Sequence, residues 1–170
     1  MMPESEGERA VHLARKAVLE YLTSGVIIKS HEARIPRRGV FVTLNRLNAS
    51  GNEDLRGCIG FPLPSMDFSD SVIQAAVAAA TEDPRFSPVQ LHELDKTTFE
   101  VSILTEPVEI PHNPSEAARH ILLGRDGLIL RWRNQSGLLL PQVATEMGWS
   151  TADLLENILY KTGAPAEAWR

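Results

Sequence analysis

The spacing of apolar and polar positions divides the chain into helices and strands along most of its length. Val11, Ala14, Val18 and Leu22 recur at helical spacing, and Ser5 stands in capping-box register with Glu8. A helix is therefore expected from Ser5 to about Thr23, stopped by Gly25. Val40 to Leu47 alternates as a strand. The turn-forming stretch Asn48 to Asp54 leads into Leu55 to Phe61, LRGCIGF, and the two runs predict an antiparallel hairpin. From about Phe68 to Thr81 almost every position is apolar, alanine above all, the pattern of a helix packed on several sides and the expected centre of the core. Pro84 requires that helix to end by Asp83, and an Asp-Pro turn then presents Arg85 and Phe86.

Further on, Phe99, Val101 and Ile103 alternate with Thr98, Glu100 and Ser102, so Thr97 to Leu104 reads as a half-buried strand. Asn113, Pro114 and Glu116 open a short helix ended by Gly124. Leu128 to Trp132 and Leu138 to Leu140 predict a second hairpin across Asn134 to Gly137, and Gln142 to Gly148 a short helical segment. Ser150 with Asp153 caps a last helix reaching Lys161, with Gly163 as its stop. These elements make an α+β fold, a mainly antiparallel sheet with flanking helices, in one domain whose two hairpins suggest two lobes.

Composition narrows the class. With 170 residues the chain can bury a sizeable core without staples. Hydrophobic residues at 43% and charged residues at 23% are ordinary for a globular protein, and a net charge of -5 has the wrong sign for holding phosphate backbones, so no nucleic-acid partner is expected. One basic stretch, Lys29 to Gly39, sets Lys29, Arg34, Arg37 and Arg38 against Glu32, as a solvated loop or an anion contact. The single cysteine allows no internal disulfide and fits a reducing compartment. With Glu4, Glu6 and Glu8 near the start and no membrane-length apolar run, neither a signal peptide nor a membrane anchor is expected, and the expected location is cytoplasmic.

The candidate chemistry gathers on LRGCIGF. Simple alternation puts Arg56 and Cys58 on one strand face and Leu55, Gly57 and Ile59 on the other. A reactive Cys58 needs its thiolate stabilised, and Arg56 is the kind of neighbour that does so; the alternative is a packed, inert thiol. His12, His31, His92, His112 and His120 are scattered, and none can be set opposite Cys58 as a base. Asp83 and Arg85 read either as a substrate-binding pair for a carboxylate or phosphate or as a helix-stop turn with an internal ion pair. Glu100 is an acid or base, or a solvent-facing carboxylate, and Gln142 an orienting amide or a helix N-terminal contact. No CxxC, HExxH, carboxylate-rich calcium loop, GxGxxG after a strand or GK[ST] loop occurs, so no metal and no cofactor is expected. Trp132, Trp149 and Trp169 read as core or interface anchors.

LRGCIG, preceded by GVFVTL (Gly39 to Leu44) and followed by the alanine-rich helix, by EDPRFSPV (Glu82 to Val89) and by LPQVA ending at Ala144, resembles the AMMECR domain family, whose archaeal and bacterial members are also called AmmeMemoRadiSam system protein A. The resemblance runs from about Gly39 to Trp169, with the blocks in order. It implies two lobes around a cleft lined by the motif blocks, with a Memo-like protein and a radical SAM enzyme as associates; the family's own activity is unsettled. Two readings of function follow. One is an intracellular enzyme or enzyme component acting on a small molecule or modified residue, with Cys58 and Arg56 as reacting groups and Asp83, Arg85, Glu100 and Gln142 binding substrate. The other is a non-enzymatic interaction module in which LRGCIG is structural.

Overall fold

Three antiparallel strands, β1 (Val40–Leu47), β2 (Glu53–Phe61) and β3 (Thr97–Ile103), form a sheet in the order β2–β1–β3. The structure, a computed structural model, describes residues 4–29 and 36–169, and the chain divides after Glu106 into two units. In the first unit α1 (Glu4–Ser24) and α2 (Phe68–Thr81) pack against one another and against the sheet. Val40, Val42 and Leu44, every second residue of β1, are fully buried with Val72, Ile73, Ala75 and Ala76 of α2 and Ala14, Ala17 and Val18 of α1. The period-two strand pattern thus meets the alanine-rich helix as expected, and the small side chains of α2 let the strands approach its backbone closely.

The bounds of β1, α2 and β3 follow the sequence pattern closely, whereas β2 starts at Glu53, two residues before the expected Leu55, which shortens the turn. The β1–β2 turn is held by the Asn48 side chain, which accepts the backbone N–H groups of Ser50 and Asn52 at 3.0 Å each, and Gly51 takes a positive φ of 79°. Gly25 ends α1 with φ 71°. At the other end of α1, Ser5 lies one residue inside the helix rather than before it. Of the basic stretch, residues 30–35, with Glu32 and Arg34, lie outside the described residues, while Arg37 pairs with Asp67 at 3.0 Å on the surface. A 3₁₀ segment, Leu91–Lys96, precedes β3; its Gln90–Glu93 capping box was not read from the sequence.

The second unit is an α+β cluster of its own. α3 (Pro114–His120) starts at the Asn113 cap, whose side chain accepts from Ser115 and Glu116, and it ends four residues before Gly124. The early stop comes with a turn in which Asp126 accepts the Leu122 N–H at 2.9 Å and pairs with Arg125 at 2.7 Å. β4 (Leu128–Trp132) and β5 (Gln135–Leu139) pair antiparallel from Trp132 opposite Gln135, so only Arg133 and Asn134 form the turn, shorter than Asn134 to Gly137. Arg133, the first of the two, takes φ 54°, as the first central position of primed hairpin turns does. α4 (Pro141–Glu146) follows, and α5 (Thr151–Thr162) packs Leu154, Leu155 and Ile158 on this hairpin. Its Ser150–Asp153 capping box and its left-handed Gly163 stop, φ 62°, are those the sequence predicts.

Candidate functional site

A β-bulge decides what surrounds Cys58. Leu44 pairs with Gly57 but Asn45 pairs with Leu55, so Arg56 is an extra residue with no partner on β1. Leu55 and Gly57, expected on one face, therefore lie opposite neighbouring residues of β1 and face opposite sides. The shared face of Arg56 and Cys58 does not survive this shift. Arg56 is 9% exposed and runs to the 3₁₀ segment, where Nε and Nη2 donate to the Glu93 carboxylate at 2.9 and 3.0 Å and Nη1 donates to the Ser87 carbonyl at 2.7 Å. Glu93 is held below its ordinary value first by the Arg56 hydrogen bond and further by the Gln90 backbone N–H.

Gly57 is explained by what packs against it. A Cβ there would run into the backbone carbonyl of Ala79 in α2, so the motif's first glycine marks the contact of strand and helix backbones. Arg56 and Gly57 are thus accounted for by packing and pairing within the first unit.

Cys58 sits on the sheet face away from α2, half-buried, opposite Thr43, which in turn stands opposite Glu100 on β3. The Thr43 hydroxyl donates to the Cys58 sulfur at 3.3 Å. β2 is an edge strand, and the outward N–H of Cys58 is taken by the Asp83 carboxylate at 2.9 Å. Asp83 is buried, and its other oxygen accepts the Arg85 backbone N–H at 3.1 Å while both oxygens receive the Arg85 guanidinium at 2.7 and 3.0 Å. That fork holds Asp83 far below the ordinary carboxylate range, against the opposing effect of burial. Arg85, more than half exposed, is raised first by its hydrogen bond with Asp83 and in smaller part by the charge of Cys58. The guanidinium tied to Cys58 is that of Arg85, through the Asp83 carboxylate that accepts the Cys58 N–H, while Arg56 is tied to Glu93 and Ser87. The Asp-Pro turn forms as expected, closed by the Phe86 N–H on the Asp83 carbonyl at 3.1 Å, and the ion pair inside it is real.

The predicted residues divide accordingly. Cys58, Asp83 and Arg85 form one connected group, and Glu100 shares the sheet face, exposed, accepting the Ser102 hydroxyl at 3.3 Å. Arg56 belongs to the Glu93 pair. Gln142 lies in the first turn of α4, in the second unit. Thr43 and Glu93 were missed. Neither carries a local signal: Gln90 is not one of the Ser, Thr, Asp or Asn residues that mark a helix start, so nothing singles out Glu93, and Thr43 becomes relevant only once strand register is known. Among the described residues no cluster of three His, Cys, Asp or Glu side chains is placed to hold a metal, and no helix is long and apolar enough to cross a membrane.

These features define an α+β protein with mainly antiparallel sheets whose LRGCIG strand is braced by the EDPRF turn. The chain belongs to the AMMECR1 family, whose model matches residues 11–170. A protein of Thermococcus gammatolerans is 49% identical over 167 residues, 96% of this chain and 82% of its own length, and one of Pyrococcus horikoshii is 46% identical over 96% and 81%. The crystal structure of an uncharacterized protein from Pyrococcus horikoshii superposes with a TM-score of 0.86 at 44% identity, covering 99% of this chain and 85% of that one.

Proposed function

We propose that this chain is an enzyme, or a component of one, that acts on a small molecule or a modified residue at the sheet face around Cys58. The observation that carries the reading is the double hold on Cys58: its sulfur accepts the Thr43 hydroxyl while its N–H is fixed by the carboxylate that carries Arg85. A partly buried thiol with a hydrogen-bond donor on sulfur, on a backbone tied through Asp83 to a guanidinium, is chemically equipped to form and use a thiolate. Cys58 is the nucleophile: its proton goes to solvent, and its sulfur adds to an unsaturated electrophilic carbon whose π bond opens, the electron pair moving to the attached heteroatom, which takes a proton from solvent. Asp83 is a positioning residue, Arg85 offers charge to an anionic group on the substrate, and Glu100 is the acid or base across Thr43. Gln142 keeps its role as an orienting amide from its place just after Pro141 at a strand's end. The cytoplasm as the working compartment rests on the single cysteine, and a Memo-like protein and a radical SAM enzyme are partners on the family resemblance.

Alkylation of the native protein by iodoacetamide, followed by intact mass, tests this: modification of Cys58 that outpaces global unfolding supports it, and modification that only tracks unfolding overturns it. The interaction-module reading keeps one specific support. Arg56 and Gly57 have complete structural explanations in the Glu93 pair and the Ala79 contact, so part of LRGCIG needs no ligand.

A further inference from the structure

Next to the Arg56–Glu93 pair lies an open pocket of about 310 Å³, lined by Arg46, Leu55, Arg56, Phe86, Ser87 and Glu93. Its donors are incompletely used. A guanidinium carries five N–H groups, and those of Arg56 that donate to Glu93 and Ser87 leave one N–H on each terminal nitrogen. The Arg46 guanidinium has no hydrogen-bond or ion-pair partner among the described residues, although it lines the same wall. Glu93 is not available to neutralise it: Oε1 accepts from Arg56 and from the Gln90 N–H, and Oε2 from Arg56. Within the lining two cations stand against one committed carboxylate; Asp54, opposite Arg46 across the β1–β2 pair, forms no ion pair with it and accepts the Asn48 amide at 3.3 Å. The remaining lining is the Phe86 ring, the exposed Leu55 side chain and Ser87, and the Arg85 guanidinium carbon lies 5.4 Å from the Phe86 ring centroid.

We infer that this pocket binds a small anion carrying a planar apolar body, its carboxylate or phosphate on Arg46 and the spare Arg56 donors and its body against Phe86 and Leu55. The volume suits a small molecule. Arg46 supplies a free charge where Arg56 supplies a fixed pair of donors, and forked donors favour flat oxyanions. The inference goes beyond the Cys58 reading and does not depend on it, because neither Cys58 nor Asp83 lines the pocket.

The test is an amide NMR titration of the intact chain with phenyl phosphate, benzoate, inorganic phosphate and benzyl alcohol. The expected result is saturable shifts at Leu55, Phe86 and Ser87 with phenyl phosphate or benzoate, at least about tenfold weaker binding of inorganic phosphate and of benzyl alcohol, and a similar loss in Arg46→Gln. Which of the two aromatic anions binds more tightly separates phosphate from carboxylate recognition. Cys58→Ala should bind as the wild type does. Absence of saturable shifts at millimolar ligand, equal binding of inorganic and phenyl phosphate, or indifference to Arg46→Gln would overturn the assignment; slow alkylation of Cys58 would not touch it.

Discussion

The buried carboxylate of Asp83 accepts the backbone N–H of Cys58 at 2.9 Å, so the turn after α2 closes the open edge of β2 at the cysteine itself. One acid thus joins a sheet edge, a turn and the Arg85 guanidinium. The unfolded chain should titrate Asp83 near the ordinary value of about 3.9, and the folded chain does so far lower, chiefly through Arg85. Between those values the unfolded state binds the proton that the folded state refuses. The contribution of Asp83 to stability is therefore complete above about pH 5 and is lost as pH falls through the folded value. Glu93, lowered by Arg56, acts in the same direction. Urea midpoints should fall on acidification below about pH 5, and Asp83→Asn should flatten that fall while costing about 1–3 kcal/mol at neutral pH. Parallel pH profiles for wild type and variant would show that Asp83 is not the acid-sensitive brace.

Arg56 and Glu93 form a pair whose side chains are only 11% and 17% exposed. Removing one partner from a buried pair leaves the other charge uncompensated, which costs about 3–5 kcal/mol, whereas replacing both by apolar groups is often neutral. Arg56→Met alone is expected near the lower end of that range, since both groups keep some water. The double variant Arg56→Met with Glu93→Leu should recover much of the loss. A double-mutant cycle from denaturant unfolding that shows simple additivity would argue that the pair is not coupled.

A separate expectation concerns the sulfur. With Arg85 joined to Cys58 through the Asp83 carboxylate, Arg85→Met should slow iodoacetamide modification at fixed neutral pH several-fold, since the thiolate is the attacking species. Arg56→Met should leave the rate unchanged once unfolding is suppressed, for its guanidinium is spent on Glu93 and Ser87. The reverse ranking, measured by intact mass over time, would return Arg56 to the thiol.

Why the sequence pointed to Arg56 is instructive. Element bounds were legible wherever a local signal was strong: the alternation of β1, the alanine run of α2, the Ser150–Asp153 box and Gly163 of α5. The LRGCIG strand was legible as a strand, but a bulge is set by pairing with β1 and leaves no mark on the alternation within β2. One extra residue was enough to exchange the neighbours of Cys58. The turn at Asp83 could be read because Pro84 enforces it, while the bond from Asp83 to the Cys58 N–H joins residues 25 apart in sequence and needed the sheet edge to be known. The 3₁₀ segment is silent in the sequence because six residues carry too little periodicity to stand out and Gln90 is not a residue type that marks a cap.

Helix α2 and the strand against it give the sharpest stability contrast. Ala76 and Ala79 are 0% and 2% exposed, so Leu at either position should overpack the core by about 1–3 kcal/mol. Gly57→Ala is expected to be as damaging for a different reason: the added Cβ meets the backbone carbonyl of Ala79, and a backbone oxygen cannot rotate aside as a side chain can. Strand and helix would have to separate, disturbing the Cys58–Asp83 bond that lies one residue further on. Gly7, within α1, has nothing within 4 Å of its would-be Cβ, so Gly7→Ala should stabilise by up to about 1 kcal/mol through helix propensity alone. Opposite signs in the urea midpoints of the two glycine variants are the expected outcome. A Gly57→Ala protein as stable as the wild type would mean that β2 and α2 are not in backbone contact and that the first glycine of LRGCIG is kept for another purpose.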